Sequence, residues 1–266
     1  MTKKRVIRVF LWVGVSLCLG TWAIAQTSVT LTAPAPGPSY DGIYVSPYYA
    51  TVGGVANTPV VCDDFGDNST LSTWNATVIA FSGLTAPTGT SWSMGGKGLS
   101  SYDAVAWLTT QVLAQVPRST GQIIDSFADW AVFDPIGVAS YLTKYPIIGG
   151  PGVLTTADVC NDIFGSGASS SKGVCSPGVG VGSLLAMAYG AAVPSGGYGL
   201  EIISPDIPGS KPPAVCPAET GCPAQEFIAV VPEGGAALAY LLLAGLCCFG
   251  AIRMRSHRQI GGISAA

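Results

Sequence analysis

The period of hydrophobic and polar positions changes twice along this chain. From Ser28 to about Leu84, Val, Ile, Tyr and Thr alternate with polar and turn residues, as in YDGIYVSPYYATVGG and STWNATVIAF. A period of two belongs to strands that bury one face, and the Gly, Pro and Asn clusters between the runs mark turns. A small β-rich unit is expected. The next segment, SYDAVAWLTTQVLAQV, brings Val105, Leu108 and Val112 onto one helical face, with Ser100 or Ser101 placed to cap its start. IIDSFADWAVF repeats that spacing after Pro117 and Gly121. Two short packed helices are therefore expected, with Trp107 and Trp130 as their large core side chains.

Beyond Pro135 the periodicity fades. GSGASSSKGVCSPGVGVGS reads as an irregular surface segment held by its cysteines, SLLAMAYGAA as a short helix and YGLEIIS as a strand. PDIPGSKPPAVCPAETGCPAQ is rich in proline with few apolar groups to bury, which is the composition of a semi-rigid stalk. The fold class expected is α+β: a β-rich N-terminal part, two or three short packed helices, and a loop-rich C-terminal part bearing disulfides.

Both ends read as targeting segments. MTKKRVIR, the apolar VFLWVGVSLCLGTWA and Ala23-Ile24-Ala25 form the three regions of a secretory signal peptide over residues 1–25. An uncleaved anchor is the alternative. Gly234 to Ile252 is a run of nineteen uncharged residues, which at 1.5 Å per residue just spans a bilayer core of about 30 Å. Arg253, Arg255 and Arg258 follow it and favour the cytoplasmic side. The division expected is an exported α+β domain over 26–204, a stalk over 205–230, a sorting signal over 231–258 with its transmembrane helix at 234–252, and a cytoplasmic tail over 259–266.

Charge narrows the partners. Five basic residues (Lys97, Arg118, Lys144, Lys172, Lys211) stand against fifteen acidic ones between Gln26 and Glu233. Nucleic acid demands the opposite sign and is excluded as a partner. Eight cysteines reduce to five in this part, because Cys18, Cys247 and Cys248 lie in the terminal apolar runs. Export permits disulfides, and proximity pairs Cys160 with Cys175 and Cys216 with Cys222. Cys62 is left over as a buried thiol.

Catalysis can be tested by subtraction. His257, the single histidine, lies in the basic tail, so a Ser-His-Asp or Cys-His site and a histidine-dependent zinc centre are excluded for residues 26–230. Asp125 and Asp129 are one helical turn apart, as paired acids would be, but exposed i, i+4 charges are the plainer reading. Asp63, Asp64, Asp67 and Asn68 in CDDFGDNST offer oxygens to calcium. Their spacing follows no calcium loop, and a turn is the plainer reading. No enzyme, cofactor or metal is expected.

Val231-Pro232-Glu233-Gly234 directly precedes the apolar run, with Gln225-Glu226-Phe227 a few residues earlier. A plain anchor needs no such motif. With Arg253, Arg255 and Arg258 it resembles the PEP-CTERM sorting signal, a Pro-Glu motif, transmembrane helix and arginine cluster read by the membrane protease exosortase. The resemblance covers about the last thirty-five residues. Gly234-Gly235 stands where the family often has a second proline, and is similar to the tail read by rhomboid-type proteases. The body, with Cys62-Asp63-Asp64-Phe65, Ala106-Trp107-Leu108 and Trp130, is similar to a group of such sorted proteins. It also resembles thioester adhesin domains, in which a strand cysteine bonds a glutamine one turn before a tryptophan. Here Ser126 and Asp103 occupy those places and Gln122 lies two turns from Trp130, so a thioester is not expected.

The function these readings imply is a non-catalytic cell-surface or extracellular-matrix protein, sorted through its tail and sited in the cell envelope or outside the cell after the membrane segment is cut. Its partners would be an exosortase-like or rhomboid-type protease, the membrane at least transiently, and exopolysaccharide. The alternative is an adhesin or carbohydrate-binding module anchored permanently by one C-terminal transmembrane helix, with Tyr44, Tyr48, Tyr49 and Trp92 as contacts. Incubation of the full chain with methylamine should give no covalent adduct. Uptake accompanied by a newly titratable thiol would reveal a thioester at Cys62.

Overall fold

The computed structural model describes residues 26–32, 39–40, 43–63, 73–94, 96–117, 119–145, 155–169, 174–194, 197–205 and 226–230. Six strands close into an antiparallel barrel: β1 (Gln26–Thr32), β4 (Tyr48–Val52), β5 (Val55–Cys62), β6 (Thr73–Ala80), β7 (Leu200–Pro205) and β8 (Phe227–Val230), in the order β1-β4-β5-β8-β7-β6. The short strands β2 (Ser39–Tyr40) and β3 (Ile43–Tyr44) pair separately. β4 turns into β5 through Gly53 and Gly54, at φ of 56° and 85°, as a two-residue hairpin turn with both central residues at positive φ requires.

Alternation decides which side chains enter the barrel. Val29, Leu31, Tyr48, Val60, Ile203 and Phe227 fill its interior, so it is a packed core. The Phe227 ring meets Tyr48 edge-on at 6.0 Å and stacks on Trp74 at 5.9 Å. The residues next along the same strands, Ile202 and Ile228, belong to a second core shared with the helices. β7 and β8 are thus largely buried on both faces, and β8, Phe227–Val230, reads as an unbroken apolar run for that reason.

Five helices build that second core: α2 (Leu99–Ala114), α3 (Thr120–Phe133), α4 (Pro135–Lys144), α5 (Thr156–Phe164) and α6 (Leu184–Gly190), preceded by the single turn α1 (Ser91–Met94). Val105, Leu108 and Val112 are fully buried on α2, and Trp130 is buried on α3. Trp107 is only partly buried against the core. The α2 N-cap is Gly98 with no side-chain hydrogen bond; Ser100 and Ser101 lie inside the first turn and do not cap it. Ser119, Asp134 and Ser183 cap α3, α4 and α6, accepting from the backbone N–H of Gln122, Gly137 and Ala186. Each such cap contributes about 1 kcal/mol.

After α5 the chain doubles back. Gly180 N–H donates to Phe164 O at 2.7 Å, and Gly165, at φ 104°, lies so close that a Cβ there would come within 2.7 Å of Gly180 Cα. A disulfide joins Cys160 of α5 to Cys175, with Cα atoms 5.8 Å apart. Cys175 N–H also donates to Thr143 Oγ1 of α4 at 2.9 Å. For the fifteen-residue separation the chain-entropy estimate is about 3 kcal/mol of stabilisation.

Several expectations need correction. Instead of two or three helices there are five and a further single turn among the described residues. The stalk expected over 205–230 begins inside β7 and ends in β8: Pro205 and Phe227–Val230 are barrel strand, and Phe227, Ile228 and Ala229 help to fill the two cores. Among the described residues no helix is long and apolar enough to cross a membrane. The transmembrane helix, the permanent anchor and the localisation built on a cleaved membrane segment thus find no support in the structure, and the run expected to form the helix, 234–252, lies outside the described residues. Residues 1–25 and 231–266, with the proposed leader, Val231 to Gly234, Arg253, Arg255 and Arg258, lie outside the described residues, as do Cys216 and Cys222.

Truncating Phe227 to Ala empties the middle of the barrel. The variant should lose about 3–5 kcal/mol of unfolding free energy in urea titration. A loss under 1 kcal/mol would mean that the ring does not hold the strands together.

Candidate functional site

Where β5 ends and β8 begins, polar side chains collect between the barrel and the helices. Glu226 is fully buried immediately before β8. Its Oε1 accepts from the Tyr102 hydroxyl of α2 at 3.0 Å and its Oε2 from the Ser204 hydroxyl of β7 at 2.6 Å. The Thr90 and Tyr102 hydroxyls are hydrogen-bonded to each other. Asp63, also fully buried, donates its N–H to Glu226 O at 3.4 Å. One residue earlier, Cys62 N–H donates to Ser46 Oγ at 3.1 Å and Cys62 O accepts from the Trp130 indole at 2.7 Å. Burial, together with the Glu226 and Asp63 charges, pushes the Tyr102 phenol far above its ordinary value. Tyr102 therefore remains a neutral donor at every physiological pH.

A second buried acidic pair lies along α3. Asp125 is buried and accepts from Nε2 of Gln115, the C-cap of α2, at 2.8 Å. Asp129 is fully buried, and among the described residues neither of its carboxyl oxygens has a hydrogen-bond partner. Desolvation, with a smaller contribution from Asp125, raises Asp129 well above the ordinary carboxyl range. Asp125 is itself raised by burial and partly restored by Gln115. These are not the exposed helix charges expected from their spacing.

The structure brings Cys62 next to Trp130 without the groups an acyl bond needs. Ser126, one turn before Trp130, is buried and its hydroxyl donates to Gln122 O of its own helix at 2.8 Å. Gln122 Nε2 is turned to Val112 O at 3.4 Å. Cys62 itself is buried and forms no disulfide. Cys160 and Cys175 are brought together. Of the calcium candidates only Asp63 is described, and among the described residues no group of three or more His, Cys, Asp or Glu could hold a metal. Tyr48 and Trp92 are not displayed for a ligand: Tyr48 lines the barrel, and Trp92 stacks on Phe133 at 4.9 Å. The Tyr44 side chain lies outside the described residues.

Sequence reasoning missed Glu226, Tyr102, Ser204 and Thr90. Glu226-Phe227 had been grouped with the tail, and its signal was the run Phe227-Ile228-Ala229-Val230, long enough for a short strand. No family model matches this chain, and neither a curated protein nor a solved structure is significantly similar to it.

Two measurements check this electrostatic picture. Tyr102→Phe removes one donor to a buried carboxyl and should cost about 1–3 kcal/mol of stability; no loss would show that water replaces the phenol. For Asp129 the sign follows from proton uptake. Between the ordinary carboxyl value near 3.9 and the raised native value, the folded state holds a proton that the unfolded chain has released. Stability therefore falls as pH rises through that window, by at most about 1.4 kcal/mol per pH unit for one proton. Asp129→Asn should flatten the fall, leaving the contribution of Asp125, and should exceed wild type in stability at pH 7. An unchanged pH profile would contradict the assignment.

Proposed function

We propose that this is a non-catalytic cell-surface or extracellular-matrix protein, a disulfide-stapled barrel-and-helix module that works in oxidising surroundings. The observation that carries the reading is the Cys160–Cys175 bond. It fastens an otherwise irregular glycine-rich loop to α5, and such structural bonds belong to compartments outside the reducing cytosol. The sorting motif at Val231 to Gly234, which resembles that of exosortase substrates, fits delivery to such a place and makes an exosortase-like or rhomboid-type protease its partner.

The non-catalytic part of the proposal is supported by how the acidic groups are used. Glu226 and Asp63 are fully buried, and both Glu226 carboxyl oxygens accept from protein hydroxyls. Asp129 is kept from solvent altogether. General acid–base work needs a group within reach of a substrate proton, and these carboxyls serve packing instead.

The test is alkylation of the native host before lysis, followed by fractionation and peptide mapping. Cys160 and Cys175 are expected to be unalkylated and bonded to each other in surface or matrix material. Recovery in the cytosol with both thiols alkylated would overturn the reading. Turnover of matrix polysaccharide by the purified chain would overturn its non-catalytic part alone.

A further inference from the structure

Barrel and helices each fill an interior of their own, so the helices can open while the barrel stays closed. Units with separate cores open as separate cooperative units. At the seam the Trp130 indole of α3 donates to Cys62 O of β5 at 2.7 Å, and both residues are buried. The residue before Trp130 is Asp129, fully buried, and neither of its carboxyl oxygens has a hydrogen-bond partner among the described residues.

A carboxyl in that position stays inside only while it carries a proton. Once ionised it needs a cation or several donors, because an uncompensated buried charge is far costlier than a buried neutral acid. No described group supplies them. The two described basic side chains are Lys97, just before α2, and Lys144, the last residue of α4, whose ammonium lies over the Tyr145 ring at 5.0 Å. The helices packed against α3 carry Tyr102 and Asp103 on α2, Tyr141 on α4, Asp158 and Asp162 on α5, and Tyr189 on α6. Asp63 and Glu226 lie at the barrel seam. None of these donates to Asp129, and the one charge that acts on it is that of Asp125, a turn earlier and of the same sign.

We propose that Asp129 is a pH-sensitive catch on the seam between α3 and the barrel. With its proton the helix packs. When the proton passes to water, α3 leaves the barrel to hydrate the carboxylate, and the Trp130–Cys62 bond breaks while the barrel remains closed. In the opened form the carboxyl titrates near its ordinary value of about 3.9, and in the closed form far above it. Opening is therefore favoured as pH rises between the two values, by up to about ten-fold per unit, and levels off above the closed-form value. A loss of overall stability with rising pH requires only that Asp129 titrates, whereas the catch requires that helices and barrel respond separately. Nothing in this depends on where the protein resides.

The experiment is amide hydrogen exchange of the full, disulfide-intact chain from acid to mildly alkaline pH, expressed as protection factors so that the intrinsic pH dependence of exchange cancels. Protection of Phe127 to Phe133 should fall with rising pH, by up to about ten-fold per unit, while that of β4 and β5 stays level. Asp129→Asn should remove most of the fall, the remainder belonging to Asp125. Trp130→Phe deletes the indole donor and should lower protection of α3 at every pH, which tests the seam even if the Asn variant folds poorly. Protection of α3 that does not change with pH, a fall shared equally by β4 and β5, a folded Asp129→Asn with the wild-type slope, or a Trp130→Phe variant with wild-type protection of α3 would each overturn the proposal.

Discussion

A carboxyl group without access to water must find its donors inside the protein, and Glu226 finds them on two elements distant in sequence. Tyr102 reaches it from the first long helix and Ser204 from the neighbouring strand. A buried acceptor left without donors costs more than an ordinary hydrogen bond contributes, so these three residues must arrive together. Their meeting fixes the start of β8 beside β7 and presses α2 against the barrel end. The Trp130 indole does the same for α3 through Cys62 O. Two cores that share no interior, one within the barrel and one among the helices, are thereby held in one register by polar contacts at their seam.

Much of the local structure was legible. Alternation marked the early strands, and the spacing of Val105, Leu108 and Val112 marked the buried face of α2. Ser183 begins a helix where the apolar run begins. The barrel was not legible, because β5 meets β8 through a pairing of Cys62 with Phe227 that no local period encodes. The strand itself sits between a proline-rich stretch and an apolar one, and composition on both sides masked it.

The acidic pair on α3 shows a different failure. Asp125 and Asp129 have the same i, i+4 spacing whether they face water or core, so spacing alone could not place them. Their neighbours mislead too: Gln122, Asp125, Ser126 and Asp129 recur at i, i+3, i+4 and i+7, the stripe an ordinary solvated helix face shows, yet all four are buried. Tyr48 and Trp92 illustrate the same limit, since an aromatic on a strand or short helix looks alike in sequence whether it greets a ligand or another ring.

The disposition of β8 also sets an order of events in the life of the chain. Five of the six barrel strands lie upstream of Phe227, yet β5 and β7 both depend on β8 for their outer hydrogen bonds. Contacts between such remote residues form late, because loop closure must precede the reward of pairing. During synthesis the barrel remains an open sheet until nearly the whole domain has emerged. Glu226 stays hydrated and Tyr102 unsatisfied for the same interval. A chain that closes only with its last strand is kept pliable for as long as it is still being made, and becomes rigid in a single late step.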